Sequence, residues 1–223
     1  MHLLPQYIHI INPKLKHIYL TFDEEGNLII KSPKISHRRV EQLLLKKASW
    51  IQKSREKFQR RKGRALDFNK EPELYFLGKN YKLHLVAHEK ANTKLTFDGT
   101  VFSLYYSTYD EITFQKHIDT FYKKEAKAYL PSLVEEWAKK MHLTYNKISF
   151  RKTKRQWGSC SGKNNLSFNT MVMKLPSDVI QYIIIHELAH ITHKHHQKAF
   201  WKLVEVYLPS YKQQIQKLKN YTT

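Results

Sequence analysis

The feature that most constrains this chain is a helix start and an apolar run that end on His186-Glu187-Leu188-Ala189-His190. Pro176-Ser177-Asp178 opens the segment. Ser177 is the expected N-cap, and Asp178 falls in the first turn, where a helix favours negative charge. Val179 to Ile185 continue it. His186 and His190 are four residues apart, so on a helix they point the same way about one turn apart. Two imidazoles so placed can bind one Zn²⁺. Glu187 then stands beside the metal, where its carboxylate can accept a proton from a water held there.

A tetrahedral catalytic zinc takes a third protein ligand and leaves the fourth position for water. His193, His195, His196 and Glu205 follow downstream. His193 lies on nearly the same face as His190, but an unbroken helix carries it along the axis, away from the first pair. His196 is ten residues after His186. That is the first-to-third spacing of the extended H-E-x-x-H-x-x-G-x-x-H pattern, in which the chain turns back after the second His. His193 replaces the glycine of that pattern. His196 is the favoured third ligand and Glu205 the alternative. Phe200-Trp201 is expected to pack as a lid over the site.

Upstream lies Arg155-Gln156-Trp157-Gly158-Ser159-Cys160-Ser161. Asn164 to Leu175 then read as a strand, with a slip near Asn169. An exposed strand edge in this region can take a peptide as an added strand. Trp157 and Cys160 also fit as core residues, and a lone Cys is more often a small buried hydrophobe than a nucleophile.

The rest of the chain surrounds this centre. Strands are expected over Tyr7–Ile11, Leu15–Asp23 and Leu28–Ser32, the last two joined by the turn Glu25-Gly26-Asn27. Ser36 precedes a helix-like stretch to about Lys62. Leu74–His88 and Thr93–Ser107 read as further strands, with a turn at Phe97-Asp98-Gly99-Thr100. A long helix follows from about Asp110 to His142, with Ile112, His117, Phe121, Ala126, Tyr129, Leu133 and Trp137 as its apolar stripe. Pro131 is expected to kink or split it. The fold class is α+β, with a β-rich N-terminal part over residues 1–107 carrying one basic helix and a catalytic part over residues 108–223.

Composition bounds the function. A chain of 223 residues with 41% hydrophobic residues can bury a core, so disorder is not expected. Cys160 is the one cysteine, which excludes an internal disulfide and fits a reducing, cytoplasmic setting. Met1 to Pro13 do not read as a signal peptide, and the longest apolar run, Tyr182–Ile185, is too short to cross a bilayer. No membrane partner is expected. The formal charge is +20, from 39 Lys and Arg against 19 Asp and Glu. Such an excess attracts polyanions, and the densest positive patch, Arg38 to Arg64, can track phosphates.

With these residues in view, Arg151 to Tyr211 resembles the YgjP-like metallopeptidase domain. The residues that carry the likeness are Trp157-Gly158-Ser159-Cys160, Asn169, Leu175-Pro176, His186-Glu187-Leu188-Ala189-His190, His196 and Phe200-Trp201. Gly26 with Ile29-Ile30 and Pro33, Trp50-Ile51 and Leu77-Gly78-Lys79-Asn80-Tyr81 extend it more loosely along the chain. The resemblance implies a zincin-like catalytic domain with His186, His190 and His196 on zinc and Glu187 as catalytic residue. It is more remotely similar to SprT-like and WLM-type proteases, which act on proteins crosslinked to DNA. His195 stands where the family often has Asn, and Gln156 stands where it often has Arg.

Two readings follow. The first is a zinc peptidase acting on proteins or peptides, nucleic-acid-associated proteins among them; a small-molecule amidase would use the same site. The second is a nucleic-acid-binding protein with a structural or vestigial zinc. Structural zinc sites usually fill all four positions, often with cysteines. A chain with one cysteine, and with a Glu between its histidines, fits the enzyme better.

Overall fold

The computed structural model describes residues 5–23, 26–59 and 66–223. The chain divides into two compact units, Met1–Arg61 and Lys62–Thr223. The sheet after residue 72 shares a core with the C-terminal helices, so the expected boundary at residue 107 falls inside the second unit.

In the first unit, β1 (Tyr7–Ile11), β2 (Tyr19–Phe22) and β3 (Leu28–Ser32) form a sheet of order β1-β3-β2. β3 runs parallel to β1 and antiparallel to β2, as the expected hairpin requires. Glu25 of the expected turn lies outside the described residues. The single expected helix is two, α1 (His37–Lys46) and α2 (Ala48–Gln59). Ser36 caps α1 by accepting from the Arg39 N–H. Lys47, at φ −103° and ψ 6°, ends it. Leu28, Ile30, Val40, Leu44 and Ile51 close this small core. Arg60, Arg61, Lys62 and Arg64 of the expected basic patch lie outside the described residues. Within them, Arg38, Arg39, Lys46, Lys47 and Lys53 are exposed.

The second unit begins with β4 (Glu73–Phe76), β5 (Lys79–Ala87), β6 (Lys94–Phe97) and β7 (Phe102–Tyr106), in the order β4-β5-β7-β6. The single run expected over Leu74–His88 is a hairpin that turns at Leu77-Gly78. Gly78 sits at φ +81°, and a β-carbon there would lie 2.8 Å from Pro176. Both the backbone angle and the close approach require glycine. Leu77 and Gly78 donate their N–H groups to the Met173 and Lys174 carbonyls, which ties this hairpin to the segment entering the motif helix.

α3 (Glu111–Lys140) is one helix, capped by the Asp110 side chain, and it continues through Pro131 without splitting. Its buried row is Phe114, Ile118, Tyr122, Ala126, Leu130, Val134 and Ala138. Only Ala126 was in the expected stripe, and Ile112 is exposed. Residues four apart advance about 40° around a helix, so this row winds across the surface instead of holding one face. α3 can therefore pack on β6 near its start and on more than one later element.

A second sheet, β8 (Lys147–Arg151), β9 (Gly158–Cys160) and β10 (Asn165–Asn169), has the order β8-β10-β9. β10 is parallel to β8 and antiparallel to β9, so β9 is an edge strand. The strand expected to reach Leu175 stops at Asn169, where a 3-10 helix (Thr170–Lys174) begins. The Asn169 side chain accepts from the Met171 N–H and so draws the chain out of the sheet. α4 (Ser177–Thr192), α5 (Lys198–Tyr207) and α6 (Tyr211–Leu218) complete the α+β unit. Pro176, not Ser177, occupies the N-cap of α4. Val179, Ile180, Ile183, Ile184, Ile185, Leu188 and Ala189 are buried, so α4 is enclosed on most sides. Among the described residues no helix is long and apolar enough to cross a membrane.

Candidate metal centre

The motif lies in the last two turns of α4. That helix ends at Thr192 because His193 turns extended, at φ −121° and ψ 101°. A residue at negative φ needs no glycine, which explains how the chain turns back with His at this position. The reversed chain brings His196 onto the first pair. Its Nε2 lies 3.0 Å from Nε2 of His186 and 3.1 Å from Nε2 of His190. Among the described residues, these three form the one group of such side chains able to hold a metal ion. Glu205 is exposed on α5 and is not part of it.

The outer nitrogens are tied down. His190 Nδ1 lies 3.0 Å from the His193 carbonyl. A carbonyl only accepts, so Nδ1 carries the proton and Nε2 keeps its lone pair. His186 Nδ1 faces the Tyr182 hydroxyl at 3.3 Å. Burial, then the neighbouring His190 and His196, bring His186 down to about 3. Burial also lowers His190, against the opposing pull of the His193 carbonyl. His186 and His190 are thus neutral donors at neutral pH. Ligands on a tetrahedral zinc at ordinary bond lengths stand about 3.3 Å apart. Three imidazoles converging at nearly that separation fit a divalent metal.

Phe200 and Trp201 do not form a lid. Phe200 is fully buried, with its ring 4.6 to 4.9 Å from all three imidazoles. Trp201 stacks on His196 on one side and on Tyr211 on the other. Its indole N–H donates to the His196 carbonyl. The pair supports the histidines from behind, as expected of flat apolar groups that fix ring orientation.

Glu187 is 6% exposed, and burial raises its carboxyl to about 8. Its neighbour is Gly158 of β9. A β-carbon on Gly158 would stand 2.7 Å from Cγ and 2.7 Å from Oε1 of Glu187. Sequence reasoning noted Gly158 as part of a motif but gave it no role. The two residues are far apart in the chain, and no local pattern reports their contact.

Asn169 is the second such residue. Its Nδ2 donates to the Thr153 and Gln156 carbonyls and to the Thr153 hydroxyl, while its Oδ1 caps the 3-10 helix. It therefore sets the loop that leads into β9. Cys160 directs its thiol to the Ser161 carbonyl at 3.6 Å, and burial pushes the thiol up. That environment disfavours a thiolate nucleophile. Tyr182 is engaged with His186, while Arg155 and His195 are exposed.

The description "YgjP-like, metallopeptidase domain" matches residues 16–221, almost the whole chain. The chain is also similar to the metallopeptidase zymogen abylysin of Pyrococcus abyssi, at 24% identity and a TM-score of 0.37. That likeness covers 41% of this chain and 97% of the abylysin chain. The metallopeptidase zymogen jannalysin of Methanocaldococcus jannaschii is similar at 24% identity and a TM-score of 0.35, over 39% of this chain and 94% of its own. No curated protein matches the chain.

Proposed function

The chain belongs to the YgjP-like metallopeptidase family, and from that premise we propose that it hydrolyses peptide bonds with zinc held by His186, His190 and His196 and with Glu187 as its acid–base residue. The observation that carries this reading is the convergence of three imidazole nitrogens, with the buried carboxylate of Glu187 next in the chain to His186. Three imidazole donors suit zinc and leave a fourth position open. When bound, zinc supplies Lewis acidity that makes hydroxide available near neutral pH and polarises the scissile carbonyl.

The remaining steps belong to the chain. Glu187 takes a proton from the attacking water as its oxygen bonds to the carbonyl carbon. The C–N bond then breaks, and Glu187 returns the proton to the leaving amine. Burial alone favours the neutral carboxyl, and a positive charge beside it restores the base. The unpaired side of β9 offers main-chain N–H and C=O groups to an extended substrate. Cys160 as the one cysteine supports a reducing, cytoplasmic setting.

The test is turnover of casein by zinc-loaded protein and by Glu187→Gln. A loss of about 10²- to 10⁴-fold is expected for removal of a general base. Undiminished turnover would sink the assignment.

A second partner is proposed on one observation. Exposed Arg38, Arg39, Lys46, Lys47 and Lys53 crowd α1 and α2. Nucleic acid fits that surface, and the peptidase would then act on proteins associated with it. Phosphate contacts weaken steeply with salt, so retention on a nucleic acid that does not change from low to high salt rules this out.

A further inference from the structure

The part of the second unit around β9 is one-sided in charge. From Trp137 to Ser177 the chain has no Asp or Glu, and after Glu187 the next acid is Glu205. These stretches supply β8, β9, β10 and the turn carrying His196. Some of their cations are neutralised, as Lys152 is by Asp119. Among the described residues, Arg151 and Lys194 beside β9 form no ion pair. Arg151 donates to the Ser159 hydroxyl at 3.2 Å, and Lys194 donates to the Asn164 side-chain carbonyl at 2.9 Å. Both are held in place by neutral acceptors, so their charge is oriented and uncompensated. Arg155 and Lys163 are exposed.

Their placement follows the strand. Gly158 is the point of β9 against Glu187. Arg155 lies three residues before it. Lys163 lies in the turn beyond Cys160, and Lys194 is tied to Asn164 at that same end. A chain laid along the free edge of β9 therefore meets positive charge on both sides of the point nearest Glu187. Charges on an edge strand also guard against aggregation, but guarding does not require Arg151 and Lys194 to be held in place by neutral acceptors.

We propose that the preferred substrate is an acidic segment, with Asp or Glu on both sides of the scissile bond, read by Arg151, Arg155, Lys163 and Lys194. The proposal rests on the peptidase reading above and adds its substrate class.

Peptides sharing one neutral core and flanked on both sides by Glu, Gln or Lys separate the two. Zinc-loaded protein is expected to cleave the Glu-flanked peptide about tenfold better than the Lys-flanked one at low salt, mostly through KM, with the gap narrowing as salt screens it. The preference should fall or invert in Lys163→Glu and in Lys194→Glu, each compared as a ratio within one variant. Zinc-loaded Glu187→Gln should bind labelled peptides in the same order, read by fluorescence anisotropy. Equal cleavage of all three peptides overturns the substrate class and leaves the peptidase intact. Cleavage of none overturns the peptidase reading and this proposal with it. A short single-stranded oligonucleotide that binds more tightly than the Glu-flanked peptide, and loses that binding in Lys194→Glu, overturns the proposal in favour of nucleic acid at this face.

Discussion

Gly158 and Glu187 compete for one space: a β-carbon on Gly158 would lie 2.7 Å from the Glu187 carboxylate oxygen. Real side chains essentially never approach so closely, so the strand has no side chain here because the catalytic candidate fills its place. Gly158→Ala forces the whole Glu187 side chain, from Cγ outward, to swing aside. The swing displaces the acid–base group by a fraction of its working distance. Misplacements near 1 Å cost about 10²-fold in rate. The check is kcat for Gly158→Ala at unchanged zinc content.

The third metal ligand is decided by metal content. His196→Ala should lose zinc on dialysis, while Glu205→Ala keeps it. Elemental analysis of both reads the outcome directly, and the reverse result would move the ligand to Glu205.

Tyr182 faces the outer nitrogen of His186. Groups that orient a ligating imidazole are worth about 10- to 100-fold in metal affinity. Tyr182→Phe should therefore bind zinc about tenfold more weakly, with little change in secondary structure. A competition titration against a chelator measures it.

Glu187 makes the metal-free protein less stable as the pH rises toward 8. Its folded carboxyl is raised to about 8 from an ordinary value of 4.5. Between those values the unfolded chain has released the proton and the folded one has kept it. Raising the pH through this window therefore favours unfolding. Urea midpoints of the metal-free protein should fall from about pH 4.5 to 8 in the wild type, and Glu187→Gln should lack that component of the fall.

Much of the centre was legible without a structure. The spacing of His186, Glu187 and His190 put three chemical groups at one helix end, and the distance to His196 suggested a returning chain. These are local relations, fixed by the 3.6-residue turn. So were β1, β3, the helix start after Ser36 and the turn at Asp98-Gly99. The misses have a common cause. Pro131 breaks helices by its missing N–H, yet α3 runs through it, packed along its whole length. The row expected on α3 assumed a single face, and the real row winds because more than one partner covers it. The β-rich residues up to 107 looked like one part, but β4–β7 share their core with α3 and the 3-10 helix instead of with β1–β3.

The sequence by itself determined the chemistry: which donor atoms exist, which helix carries them and in what order. The tertiary structure decided their surroundings. It put Phe200 behind the imidazoles instead of over them, gave Asn169 the loop before β9, and set Gly158 against Glu187. Periodicity reaches only a few residues along a chain, whereas these contacts join residues that come together only when the buried faces of α3 and α4 close one core.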